Sequence, residues 1–180
     1  MPKYIALLRG INVGGHKKIM MADLRMIFEK SGFSAVISYI QSGNVIFQSN
    51  EADTKKLEQQ IESALEKAYG YLVPVIVLTR SRIEKIVSNN PFKPLDGNDT
   101  SKVYYLFLKD VPERKTVELF NETKFQNERF FVCKDYIYLK CLCGMGKAKL
   151  NTNLFEQKLQ VKATARNHKT VLKLLELSKS

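Results

Sequence analysis

The apolar residues of this chain change period in a fixed order, and that order limits the folds open to it. Residues 3–9 form a short apolar run ending at a glycine-rich turn, which reads as a strand. Residues 23–30 have helical spacing, with Leu24, Ile27 and Phe28 on one face and Ser31-Gly32 as the stop. Residues 35–40 and 44–48 are two short β-like runs, and Gln41-Ser42-Gly43 between them is a hairpin signal. Asp53 or Thr54 can cap a longer helix with Leu57, Ile61, Leu65 and Ala68 facing inward. Residues 73–78 then read as a strand, and Pro74 suits an edge position or a strand start. This order is βαββαβ, the ferredoxin-like arrangement.

A second round of the same pattern follows a short helix over residues 81–87. Residues 102–109 read as a strand, 113–121 as a helix, and 129–133 with 136–142 as a hairpin around Lys134-Asp135. Residues 152–159 and 167–177 read as helices. The expected fold is therefore α+β: a ferredoxin-like N-terminal half, then a βαββα half with an extra C-terminal helix. The two rounds share a pattern but no sequence. The polar segment 93–101, with Pro94, Gly97, Asn98 and Asp99, is the expected boundary between a ferredoxin-like domain over 1–92 and a second subdomain with basic C-terminal helices over 93–180.

A β-α-β crossover joins parallel strands. The first two strands should thus run the same way, which puts the turn after the first beside the hairpin after the second. Residues 9–18 and 41–44, distant in sequence, are expected to converge on one surface.

The excess charge lies in two segments, one of which includes residues 9–18. The chain of 180 residues carries 29 Lys and Arg against 18 Asp and Glu, a formal +11. Residues 1–20 hold four cations (Lys3, Arg9, Lys17 and Lys18) and no acid, while residues 134–180 hold ten basic residues against three acidic ones. The segment between them is neutral, so these two carry the entire excess. Each contains a glycine-rich turn, at 10–15 and at 144–149. Glycine lets backbone N–H groups approach a phosphate, and neighbouring lysines supply charge. Neither turn has P-loop or dinucleotide-fingerprint spacing. Arg9, Asn12, Lys17, Lys18, Gln41, Ser42 and Asn44 form one candidate anion-binding set, and Lys147 and Lys149 a second. Arg166 and Asn167 form a third: Asn167 can cap the last helix, and an arginine just before a helix start calls for a carboxylate or phosphate beside it. Turn chemistry explains Gln41 and Asn44 equally well, and solubility explains the lysines.

Composition excludes other classes. With 44% hydrophobic and 26% charged residues the chain is globular, not a collagen, a coiled-coil rod or a disulfide miniprotein. No window is apolar enough to span a bilayer, and no secretory signal is visible, so no membrane partner is expected. Three cysteines, Cys133, Cys141 and Cys143, are an odd count that fits a reducing, cytoplasmic compartment. Cys141 and Cys143 continue an apolar strand face with Ile137 and Leu139, and read as core residues more readily than as ligands or redox groups. With only His16 and His168, no zinc-type spacing exists, and neither a metal nor a cofactor is expected. His168 alone reads as a helix-surface residue.

The motifs Leu7-Leu8-Arg9-Gly10-Ile11-Asn12-Val13-Gly14-Gly15 and Tyr39-Ile40-Gln41-Ser42-Gly43-Asn44-Val45 closely resemble the opening of a bacterial family known as domain of unknown function 1697. Gly144-x-Gly146-Lys147-x-Lys149-Leu150 and Ala163-Thr164-Ala165-Arg166-Asn167 extend the resemblance to nearly the whole chain. It implies a two-part α/β fold with a ferredoxin-like component and a cytosolic bacterial setting, and no known activity. Ala148 stands where that family often has Ser, and His168 where it often has Trp, which weighs against chemistry that needs a serine in that turn.

Three functions of different kinds follow. The first is binding of a phosphate-rich ligand such as nucleic acid, with Tyr104, Tyr136 and Tyr138 available to stack bases on a sheet. The second is catalysis on a small anionic metabolite at Arg9, Asn12, Gln41, Ser42 and Asn44, although no strong general base is visible. The third is a protein-interaction module. The sequence favours the first, and leaves ligand identity and oligomeric state open.

Overall fold

A computed structural model describes all residues except 94–98, Lys124, Cys143 and Ser180, and omits the side chains of Asp99 and Lys147. The turn residues Pro94, Gly97 and Asn98 of the expected boundary therefore lie outside the described residues. The chain groups into two compact units, Met1–Val87 with Lys173–Ser180, and Ser88–Leu172.

The first unit contains β1 (Lys3–Leu8), α1 (Met21–Lys30), β2 (Ser34–Tyr39), β3 (Asn44–Gln48), α2 (Thr54–Tyr69), β4 (Val75–Thr79) and α3 (Arg80–Ser88, whose last residue falls in the second unit). Its sheet is antiparallel in the order β2-β3-β1-β4. This is the ferredoxin-like order, so β1 and β2 point the same way with β3 between them. Tyr4, Ala6 and Leu8 of β1 share a buried cluster with Val45 and Phe47 of β3, Val75 and Val77 of β4, Leu24 and Phe28 of α1, and Leu57, Ile61 and Leu65 of α2. Period 2 in the strands and period 3.6 in the helices turn these residues to one core. Asp53 caps α2 by accepting from the Lys55 and Lys56 amides, and Gly70 ends it with φ +73°.

The second unit contains β5 (Val103–Leu108), α4 (Arg114–Asn121), β6 (Glu128–Val132), β7 (Tyr136–Cys141), α5 (Thr152–Leu159) and β8 (Ala163–Asn167), followed by α6 (His168–Leu177), whose final residues belong to the first unit. Its sheet order, β6-β7-β5-β8, repeats that of the first. Strand β8 corrects the sequence reading, which ended this half at βαββα. Ala-Thr-Ala-Arg-Asn lacks the large or β-branched apolar residues that mark a strand, and β5 supplies the pairing that makes it one. Both halves are thus complete βαββαβ units. Cys141 is fully buried with Leu106, Ile137 and Leu139, as the apolar-face reading anticipates, and Cys143 lies outside the described residues.

The repeat extends to individual hydrogen bonds. Leu8 N donates to Gly43 O at 2.8 Å, and Leu108 N to Asp135 O at 2.9 Å. Arg9 N reaches Pro74 O at 2.9 Å, and Lys109 N reaches Lys162 O at 2.8 Å. In each unit the second helix offers a glutamate to the first amide of the last strand. Glu62 Oε1 accepts from Val75 N at 2.8 Å, and Glu156 Oε1 from Ala163 N at 2.9 Å. These carboxylates occupy amides on edge strands, which would otherwise invite pairing with another chain.

Against this shared frame, one connection in each unit is enlarged. Twelve residues, 9–20, join β1 to α1, whereas five, 109–113, join β5 to α4. Conversely, ten residues, 142–151, join β7 to α5, whereas five, 49–53, join β3 to α2. The two enlarged connections are the two glycine-rich segments of the sequence. The fold does not need them at that length, and loops longer than the scaffold requires commonly carry function.

The hairpin beside the first of these loops sits against β1. Gly43 has φ +74°, and a Cβ there would lie 2.7 Å from Leu8 Cβ and 2.9 Å from Ile11 Cδ1. Gly70 has nearly the same φ but open space around it. Replacing each with alanine separates backbone strain from crowding. Gly70→Ala is expected to cost about 1 kcal/mol and Gly43→Ala about 2–4 kcal/mol in urea unfolding. Equal midpoint shifts for the two would refute the close approach.

Candidate functional site

The expected convergence of residues 9–18 with residues 41–44 is present, and Asn12 makes it. Its Oδ1 accepts from Ile19 N at 2.9 Å, while its Nδ2 donates to Ile19 O at 3.0 Å and to Gln41 O at 2.9 Å. One side chain thus closes the loop on itself and fastens it to the β2–β3 turn. Asn12 has φ +54°, a left-handed conformation that Asn tolerates better than most residues. Gly10, Gly14, Gly15 and Lys17 are left-handed as well. Alternating handedness of this kind points successive amides into a concavity suited to an anion. Asn12 N donates to Lys17 O and His16 N to Val13 O, whereas the amides of the exposed Gly14 and Gly15 have no partner among the described residues.

The remaining members of this set divide in two. Lys18 and Gln41 are exposed and, with Asn12, Gly15, Ile19, Met20, Asp23 and Tyr69, line a groove of about 520 Å³. Lys17 is engaged: its Nζ donates to Leu72 O at 2.7 Å and lies 5.4 Å from the centre of the Tyr71 ring. Asn44 is fully buried, with Nδ2 donating to Tyr39 O and to Ser42 Oγ, each at 3.0 Å, so turn chemistry accounts for it and for Ser42. Arg9 is half-buried beside the loop and has interactions of its own. Sequence reasoning missed Asp23 and Tyr69. Burial raises the Tyr69 hydroxyl pKa above its ordinary value, and the Asp23 charge adds to that effect. The groove therefore brings together a cation, an exposed glycine, a carboxylate and a phenol. Helix α1 begins beside it at Met20, with no side chain capping its first turn.

The second glycine-rich loop differs. Gly144 N, Met145 N, Ala148 N and Lys149 N donate to Cys141 O, Tyr104 OH, Met145 O and Glu128 Oε1, so its amides serve the fold. Lys149 is exposed, and the side chain of Lys147 lies outside the described residues.

The third set stands where β8 runs into α6. Arg166 belongs to β8, where it is 7% exposed and donates to Thr164 Oγ1 at 2.7 Å and Ala165 O at 2.8 Å. Asn167 does cap α6, accepting from Thr170 N at 2.8 Å. His168 corrects the surface reading. It is buried, stacks on Tyr105 at 5.8 Å, and its Nδ1 lies 2.7 Å from Tyr105 OH, which also receives Asn90 Nδ2 at 3.2 Å. Of the tyrosines expected to be exposed, Tyr138 is buried, and Tyr104 packs on the helix side of the sheet.

The model of the family described as protein of unknown function DUF1697 matches residues 1–138. The chain belongs to that family. The DUF1697 chain also resembles the solved structure of the conserved bacterial protein SP0830 from Streptococcus pneumoniae, with a TM-score of 0.80 and 24% identity over 100% of this chain and 99% of that one. That likeness supports the shared fold. No curated protein matches the sequence. Among the described residues of this DUF1697 chain, no group of three or more His, Cys, Asp and Glu side chains is arranged to hold a metal, and no helix is long and apolar enough to cross a membrane.

Burial, followed by the charge of Lys93, pushes the His168 pKa below its ordinary value. The unfolded chain then binds the proton more readily, so stability is full above the ordinary histidine range and falls as pH drops through it. Thermal unfolding from pH 7.5 to 5 is expected to show this loss, and His168→Asn to flatten it in that window. An unchanged pH profile in His168→Asn would contradict the assignment.

Proposed function

We propose that this protein binds a phosphate-bearing ligand, such as nucleic acid, at the loop joining β1 to α1. The observation that carries the reading is that this loop is both longer than its counterpart in the second unit and tightly set. Its counterpart needs five residues, yet here twelve are held by Asn12 with left-handed backbone at five positions. A phosphate would meet the Gly14 and Gly15 amides with Lys18 beside it, and the start of α1 adds its dipole. Asp23 in the same groove repels a bare anion but accepts from hydroxyls, which favours a sugar phosphate over inorganic phosphate. The four cations of residues 1–20, with no acid among them, would draw a polyanion to this surface. The odd count of three cysteines fits action in a reducing cytoplasm.

Catalysis on a small anion receives less support. Asn12 and Asn44, which would have oriented a substrate, are engaged within the fold.

Retention on heparin is expected to fall steeply with salt. Lys18→Glu should elute at lower salt and lose the thermal stabilisation that a nucleoside monophosphate gives the parent protein. Passage of the parent protein through heparin at low ionic strength, or elution of Lys18→Glu at the parent position, would overturn the reading.

A further inference from the structure

The register of the second sheet sets two kinds of side chain in adjacent rows on the face opposite its helices. One row crosses all four strands: Arg166 of β8 pairs with Tyr105 of β5, Tyr105 with Tyr138 of β7, and Tyr138 with Phe131 of β6. Directly paired residues share a face, so this row is largely aromatic. Two residues along, Val103 pairs with Lys140 and Lys140 with Arg129, which puts two cations side by side. Lys140 keeps interactions of its own within the fold, and Arg129 is exposed beside it.

The inner part of the aromatic row is closed, because Tyr105 and Tyr138 are buried. Its outer end is open. Phe131, on edge strand β6, is 51% exposed and meets Phe92 with ring centres 5.5 Å apart. Beside it runs a groove of about 550 Å³ lined by Phe92, Lys93, Arg129 and Lys140, among others. Glu128 is the acid in that lining, and one of its oxygens already accepts the Lys149 amide at 3.0 Å. Lys93 Nζ touches Ser88 O and remains exposed. The groove therefore combines a partly bare aromatic pair with three cations.

We propose that this groove binds single-stranded nucleic acid, with a base stacked on Phe131 and an adjoining phosphate held by Arg129 and Lys140. Exposed rings next to cations match a ligand with flat apolar faces and regularly placed negative charge. A duplex keeps its base faces stacked internally, so it could use only the cations. This surface belongs to the second unit and the β1–α1 loop to the first, and the proposal extends the phosphate-ligand reading to a defined polymer.

The test is fluorescence anisotropy with a labelled single strand of about ten nucleotides, and with its duplex, on the full-length protein. The parent protein should prefer the single strand. Phe131→Ala should weaken that binding about 5- to 150-fold, the effect of losing one stacked base. Phe131→Tyr should retain it, and Arg129→Ala should weaken both forms and lower the salt slope by about 1. Phe131 is exposed, so unchanged thermal unfolding of these variants serves as the control for folding. Single-strand affinity unchanged in Phe131→Ala, equal affinity for the duplex, or displacement of the strand by an equal nucleotide concentration of free mononucleotide would each overturn the proposal. If the strand binds but only Lys18→Glu weakens it, this groove is refuted and the loop reading stands. No binding of either form at low salt refutes the groove, and heparin retention then tests the loop separately.

Discussion

Three hydrogen bonds from the Asn12 carboxamide hold together what the order of strands brings near. Because β1 and β2 run the same way, the loop after one and the turn after the other meet at one end of the sheet. Proximity alone would leave a twelve-residue connection free to wander. Asn12 joins the two ends of that connection through Ile19 and ties them to Gln41. The left-handed glycines can then present their amides from a fixed backbone, and Lys17 is drawn down onto Tyr71 and Leu72, away from the groove that Lys18 faces. A preorganised loop binds with less entropic penalty than a floppy one. The affinity expected of this surface therefore depends on a residue that need not touch the ligand.

The two units show how far backbone physics can repeat without sequence. Equivalent strand ends, equivalent hairpins and the two glutamates that occupy edge amides recur with unrelated side chains. Departures from the repeat are then informative. The long connection follows the first strand in one unit and the third strand in the other. The first leaves the exposed Gly14 and Gly15 amides without partners among the described residues, whereas the Gly144, Met145, Ala148 and Lys149 amides of the second are bonded within the fold, so the two glycine-rich segments, similar as sequence, differ in what they can do.

Much of this was legible in the sequence. The period changes give the βαββαβ order, and the crossover rule gives the meeting of residues 9–18 with residues 41–44 before any coordinates. What stayed hidden has physical causes. Strand β8 consists of small and polar residues whose strand character comes from pairing with β5. Arg166 and His168 look like surface residues in sequence, yet both are buried, Arg166 donating to Thr164 and Ala165 and His168 meeting Tyr105. Asp23 sits in an ordinary helical pattern, and only the loop folded beside it makes it part of a groove. The exposed aromatic ring falls at Phe131, with Phe92 half-buried against it, rather than at Tyr104 and Tyr138, because alternation assigns faces but not which end of a face remains open.

Hydrogen exchange of Asn12→Ala, read residue by residue against the parent protein, tests the central claim most directly. Loss of the clasp should raise exchange at the Ile19 amide, which donates to Asn12, and through the neighbouring loop, while β1 and β3 amides keep the protection their pairing gives them. If loop amides exchange at the parent rate in the variant, Asn12 is not what holds the loop, and the preorganised site derived from it is wrong.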